Sequence, residues 1–192
     1  MLSLSSWQLT CNGEGNHVGP DPSLFLMASQ LYYTIFNTAM GWVGILGSDS
    51  GLLAATPPQS SAREAERLLG ERLKSATRSE KPFRETIERL RAYFAGQRVD
   101  FPDELDLSSA TPFQRQVWRL ARLIPYGETR SYGWIAKRLG KTGAGRAVGQ
   151  ALARNRLPVI IPCHRVVGDG GLGGYSGGVG MKKSLLRLEA HR

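Results

Sequence analysis

Cys163 and His164 stand side by side in Pro162-Cys163-His164-Arg165-Val166, after the apolar run Leu157-Pro158-Val159-Ile160-Ile161 and before a glycine-dense loop. A thiol beside an imidazole and several cations has what a sulfur nucleophile needs: a proton acceptor close by, and positive charge that favours the thiolate. The plainer account is a small buried hydrophobe, which is what most free cysteines are. Neighbouring strand residues point to opposite faces, so adjacency alone does not bring His164 onto the sulfur. These five residues leave both accounts open.

The charge pattern narrows the choice. In a chain of 192 residues, positions 1 to 110 hold 10 Lys/Arg against 13 Asp/Glu, whereas positions 111 to 192 hold 15 against 3, a net of +12 that surrounds the Cys-His pair. A surplus confined to one half implies a polyanionic partner, with nucleic acid the first candidate. A merely soluble basic surface would mix the signs. The two cysteines, Cys11 and Cys163, sit far apart in unlike contexts, which argues against a disulfide framework and for a reducing, cytoplasmic setting. Cys11 and His17 offer only two ligands where a structural zinc site wants four, so no metal is expected. Residues 22 to 48 carry no charge, long enough to span a bilayer. Polar residues and Gly41, Gly44 and Gly47 interrupt the run and no basic flank precedes it, so it reads as short strands and not as a membrane segment.

The elements that must position the pair follow from periodicity and caps. Residues 1 to 30 lack a sustained period and read as a loose extension, with Met27 a possible natural start. Strand-like runs at about 31–37, 41–47 and 51–56 precede a helix over about 62–75, capped by Ser60 or Ser61 and burying Ala65, Leu68, Leu69 and Leu73. A second helix over about 82–95 opens with Pro82, buries Phe83, Ile87, Leu90 and Phe94, and stops at Gly96. This makes a small α/β domain over 31–105.

The basic part, 106–192, starts with a capping box, Thr111 with Gln114, ahead of a helix burying Phe113, Val117, Leu120, Ala121 and Ile124. Ser131 caps a short helix to Leu139, Gly140-Lys141-Thr142-Gly143 turns the chain, and a further helix runs from about Ala144 to Arg154. Together these form a mainly α, winged-helix-like helix-turn-helix domain. Its second helix, Ala144-Gly145-Arg146-Ala147-Val148-Gly149-Gln150-Ala151, tolerates two glycines although each costs about 1 kcal/mol in a helix interior. Either a DNA backbone comes very close there, with Arg146 as the one long side chain able to enter the base stack, or the helix packs tightly on the core.

At this point the sequence resembles the O6-alkylguanine-DNA alkyltransferases, also called methylated-DNA–protein-cysteine methyltransferases. The likeness runs from about 31 to 190 and is densest after Thr111. It rests on Ile161-Pro162-Cys163-His164-Arg165-Val166, Ser131-Tyr132, Gly145-Arg146-Ala147-Val148-Gly149, Asn155, Gly174-Tyr175-Ser176-Gly177-Gly178 and Leu188-Glu189. Several matches in order are far more specific than one pentapeptide. The zinc site of some relatives cannot be completed here.

The resemblance implies a DNA repair protein that moves an alkyl group from O6 of a flipped-out guanine, with O4 of thymine as a further target, irreversibly onto Cys163. His164 would take the thiol proton through a water, Glu189 would orient the imidazole, and Tyr132 would donate to guanine N3. Tyr175 and Ser176 would face the base and its O6, and the carbonyls of Cys163 and Val166 would read its exocyclic amine. Asn155 would tie the recognition helix to the active-site turn, and Lys182 would hold the loop or favour the thiolate. Arg146, Ala147, Gly149, Arg154 and Arg165 would contact duplex DNA in the minor groove without sequence preference. A monomer without cofactors is implied. The competing expectations are a non-catalytic lesion sensor or regulator, a class that replaces the cysteine, and a cysteine hydrolase using Cys163, His164 and Asn155.

Overall fold

The computed structural model describes residues 30–190; the proposed extension, the start at Met27, Cys11 and His17 lie outside the described residues. Strands β1 (Leu31–Thr38), β2 (Gly41–Ser48) and β3 (Gly51–Ala55) form an antiparallel meander. A short strand β4 (Ala76–Arg78) then adds parallel to β1, giving the order β3-β2-β1-β4. The central strand β2 is covered on both faces. Ile35 and Leu46 pack under Ala65 and Leu69 of helix α1 (Ala62–Leu69), while Phe36, Val43 and Ile45 face the main core. A strand covered on both sides reads as an unbroken apolar run, which is why β2, Gly41–Ser48, carries no charge. Among the described residues no helix is long and apolar enough to cross a membrane.

Helix α1 is shorter than its periodicity predicts. Ser61 caps it by accepting from the Glu64 amide, but Gly70 turns left-handed at φ 77° and the chain continues to Ser75 as a 3-10 turn. Leu68 therefore points outward, 46% exposed, and Leu73 is only half-buried. Pro82 likewise falls in a separate 3-10 turn, Lys81–Phe83, ahead of helix α2 (Arg84–Phe94). The buried face of α2 includes Tyr93 beside Ile87, Leu90 and Phe94.

In the basic part, α3 (Pro112–Arg122) carries the complete Thr111–Gln114 capping box and buries Val117, Trp118 and Ala121, with Phe113 and Leu120 only partly covered. The Trp118 indole N–H donates to the Ala151 carbonyl at 2.9 Å, clamping α3 to the helix it must support. Ser131 caps α4 (Tyr132–Arg138), and α5 (Gly145–Ala153) follows the glycine turn. Two short parallel strands, β5 (Arg130–Ser131) and β6 (Val166–Val167), join the start of α4 to the segment just after Cys163. Helix α6 (Val179–Ala190) closes the chain. One hydrophobic core runs from Phe36 and Leu90 through Val117 and Ile135 to Ile161 and Leu185, so both parts rest on shared packing.

Candidate active site

The apolar run before Cys163 is a buried turn, not a strand. The Ile161 amide returns to the Leu157 carbonyl at 2.8 Å, and Val159 is held at φ 73°. A β-branched residue in that region is strained, by an order of 1–3 kcal/mol, and persists only where its surroundings impose it. Here the imposition comes from burial and from Asn155. At the end of α5 the Asn155 amide donates to the Ile161 carbonyl (2.9 Å) and the Cys163 sulfur (3.2 Å), while its oxygen accepts from the Leu157 amide (2.9 Å). One side chain thus ties the helix-turn-helix to the sulfur. Cys163–Arg165 is a 3-10 turn, and its three side chains are all buried.

Below the sulfur lies a packed polar cluster. His164 Nε2 donates to Glu189 Oε1 at 2.7 Å, and the Tyr93 hydroxyl from α2 donates to the same oxygen at 2.6 Å. Arg165 grips both Glu189 oxygens through Nε (2.9 and 3.2 Å) and Nη2 (3.0 Å), and sends Nη1 to the Ile124 carbonyl at 2.7 Å. The Gly127 amide supplies a further donor to Glu189 Oε2 at 3.1 Å. Burial alone would raise the Glu189 carboxyl, but the hydrogen bonds from His164 and Arg165 outweigh it and hold the group down at about 2.

Arg165, expected among the DNA contacts, is buried in this structure with its guanidinium turned inward to Glu189.

Burial lowers the His164 imidazole from its ordinary value, with Glu189 pulling the other way, and burial pushes the Cys163 thiol up against the pull of the Asn155 amide and the Lys182 ammonium. Thiol and imidazole are both neutral at rest. Since Nε2 carries the proton given to Glu189, the lone pair of the ring sits on Nδ1, a buried atom without a protein partner.

Above the sulfur is a cavity of about 590 Å³, lined by Cys163 with Tyr132, Arg146, Gly149, Tyr175 and Ser176 among others. That size suits a small planar ligand, since such sites run to about 300–1,000 Å³. Tyr132 is fixed from two sides: its hydroxyl reaches the Gly174 carbonyl at 3.4 Å, and the Lys182 ammonium lies 5.8 Å from its ring centroid. A Cβ on Gly173, which is left-handed at φ 68°, would come within 2.7 Å of the Tyr132 oxygen. Buried Lys182 bridges the Val166 carbonyl (2.6 Å) and the Gly174 carbonyl (3.3 Å), so it pins the loop to the turn after Cys163. The Tyr175 hydroxyl is buried and without a partner.

The structure brings together Cys163, His164, Glu189, Tyr132, Tyr175, Ser176, Asn155, Lys182 and Arg146. Exposed Ala147 does not line this cavity, and Arg154 lines a different one past the end of α5. Tyr93 and Gly127, on distant segments, are absent from the motif set. The one available signal for Tyr93 is its place in the apolar stripe of α2, because a buried tyrosine needs a partner for its hydroxyl.

Two family models match in tandem: "6-O-methylguanine DNA methyltransferase, ribonuclease-like domain" over residues 31–107, and "6-O-methylguanine DNA methyltransferase, DNA binding domain" over residues 112–191. A methylated-DNA–protein-cysteine methyltransferase from Methanosarcina acetivorans is 41% identical over 160 residues, covering 83% of this chain and 98% of its own. The chain belongs to the 6-O-methylguanine DNA methyltransferase family. A Mycobacterium leprae member is 53% identical over 111 residues, 57% of this chain and 67% of its own. The crystal structure of Mycobacterium tuberculosis OGT in complex with DNA superposes with a TM-score of 0.70 at 40% identity, covering 83% of this chain and 92% of that one. As a family member the protein is an enzyme of the methylated-DNA–protein-cysteine methyltransferase class, built from a small sheet with helices and a helical DNA-binding part.

Proposed function

We propose that this protein repairs duplex DNA by drawing O6-alkylguanine into the cavity above Cys163 and taking the alkyl group onto its own sulfur, once per molecule. One observation carries this reading: Cys163 and Arg146 of α5 line the same base-sized cavity. A base inside the stack cannot present its alkyl carbon to a protein sulfur, so it must rotate out, and in this reading Arg146 fills the gap. The glycines of α5 let the helix lie close in the minor groove, and the net +12 half supplies salt-sensitive binding without sequence preference.

His164 Nδ1 takes the thiol proton through a water, and Glu189 below stabilises the imidazolium that results, against the repulsion of the Arg165 guanidinium. The thiolate attacks the alkyl carbon, the C–O6 bond breaks, and the electron pair passes into the purine. Tyr132, which burial and the neighbouring Cys163 keep protonated, gives its proton to ring N3 and regains one from the His164 imidazolium through water, so the thiol proton ends on the purine. Tyr175 and Ser176 face the base. The carbonyls of Cys163 and Val166, each already accepting one hydrogen bond, keep a second lone pair for its amine.

The thioether has no leaving path, so no second turnover follows. O4-alkylthymine presents the same O-alkyl bond and is the second substrate in this reading. A monomer in the reducing cytoplasm suits a lone essential thiol.

Intact mass after incubation with an O6-methylguanine duplex tests the reading. A single gain of about 14 Da that maps to Cys163 and vanishes in Cys163→Ala is expected. Tight binding without any gain would make the protein a lesion sensor. An O4-methylthymine duplex in the same assay decides the second substrate, and elution as a dimer would refute the monomer.

A further inference from the structure

We propose that Tyr93 is a positioning residue for the transfer reaction: its hydroxyl, delivered from the N-terminal part by α2, fixes the Glu189–His164 pair and with it the nitrogen that serves Cys163. The inference rests on the reading of His164 as the base.

The ring of Tyr93 is fully buried and held edge-on by Phe94, Phe101 and Tyr126 at centroid distances of 5.3, 6.0 and 6.0 Å. Phenylalanine would satisfy every one of those contacts. The hydroxyl has work only in the polar cluster, where it lies 2.6 Å from Glu189 Oε1 and 3.2 Å from His164 Nε2. Glu189 is ionised, so the hydroxyl must donate to it. Its own lone pairs then face the Nε2–H that also goes to Oε1. This arrangement suits only one tautomer, the one that leaves Nδ1 free, and it blocks rotation of the ring by setting an oxygen on each side of Nε2–H.

Oε1 is shared by Tyr93, His164 and Arg165. With the tyrosine donor gone, more of the carboxylate charge falls on the imidazole, and the imidazolium is favoured. The loss of the 2.6 Å donation outweighs the loss of the longer 3.2 Å contact. The other charged or titratable groups near the imidazole, Arg165, Lys182 and Cys163, and Tyr126 packed on Tyr93, stay as they are.

The test is Tyr93→Phe in the full chain, read by alkylation of Cys163 with iodoacetamide across pH, and with O6-benzylguanine. We expect a maximal rate about five- to twenty-fold lower at unchanged half-saturation, and an acid-side midpoint raised by about half a pH unit. Ile87→Val on the same helix serves as a packing control that lowers Tm and leaves the midpoint alone. A wild-type rate and midpoint in Tyr93→Phe would overturn the proposal. Should that variant not fold, proton NMR of the wild type decides. A slowly exchanging Tyr93 hydroxyl proton with a cross-peak to the His164 ring is expected, and its absence at neutral pH refutes the assignment. Failure of the repair reading is separately visible, because wild-type protein would then gain no mass from the methylated duplex.

Discussion

The two sides of Cys163 are built on opposite plans. Below it, His164, Glu189, Arg165 and Tyr93 lie buried and bonded to one another, with His164 Nδ1 the unpartnered side-chain atom among them. Above it, Tyr132, Tyr175, Ser176 and Arg146 stand around open space on glycine-rich backbone. The lower side keeps a fixed inventory of protons and charges, which needs stiffness and dryness. The upper side, in the proposed reaction, admits a purine and a phosphate backbone, which needs room. Damage below should therefore cost stability and chemistry together, whereas damage above should cost DNA repair and leave the fold intact.

Arg165→Ala puts the greatest strain on that contrast. It strands an ionised Glu189 in the interior, and uncompensated buried charges of this kind cost about 3–5 kcal/mol. Thermal unfolding should fall by roughly 10 °C, since about 2–4 °C accompanies each kcal/mol in a chain of this size. Ser176→Ala, on the exposed side, should leave Tm within about 1 °C. Equal losses in calorimetry would erase the distinction.

Acid probes the same side without mutation. Glu189 falls from its ordinary 4.5 to about 2 in the fold, so the folded state favours the carboxylate. The stability it contributes, on the order of 3 kcal/mol, is complete above about pH 4.5 and drains away as pH falls toward 2. The His164 imidazole, lowered by burial, works in the same direction because acid must charge it in place. Glu189→Gln should flatten urea-measured stability between pH 4.5 and 2. A wild-type slope in that variant would assign acid lability elsewhere.

On the upper side, Arg146→Ala should slow repair in duplex DNA by about a hundredfold, while reaction with free O6-benzylguanine stays within about threefold. Single-turnover rates with both substrates give the ratio. Equal slowing of the two would take the arginine out of base extrusion.

The same contrast governs what the sequence made legible. The upper side was readable because its parts are local motifs: a cap at Ser131, a glycine-flanked arginine, a Gly-Tyr-Ser-Gly-Gly loop. Cys163, His164 and Asn155 were readable for the same reason. The lower side draws on four separated segments, and nothing local in Arg165 distinguishes a guanidinium bound for phosphate from one that turns inward to Glu189. Tyr93 was hidden further, since in an apolar helix stripe it passes for one more core aromatic. In the fold, the 3-10 turn Gly70–Ser75 is absorbed into an overextended α1, and β4 is missed because three residues, Ala76-Thr77-Arg78, carry no period of their own. The turn at Val159 was invisible because a β-branched residue at positive φ runs against every local preference.

The smallest effect is also the most discriminating. The two glycines of α5 admit two explanations, close approach of DNA or close packing of the helix. A Cβ added at Gly149 would meet only Tyr132, at 3.7 and 3.9 Å, and one at Gly145 only the Tyr132 Cβ at 3.7 Å, all ordinary van der Waals separations. The protein itself thus has room for alanine at both positions. Gly149→Ala should keep the fold and gain up to about 1 kcal/mol of helix stability, while weakening undamaged-duplex binding several-fold in a fluorescence titration. In the proposed docking the methyl group would meet the backbone of the minor groove. If instead Tm drops and duplex affinity is untouched, the glycines serve the core, and the upper side of the site is less of an open docking face than its cavity suggests.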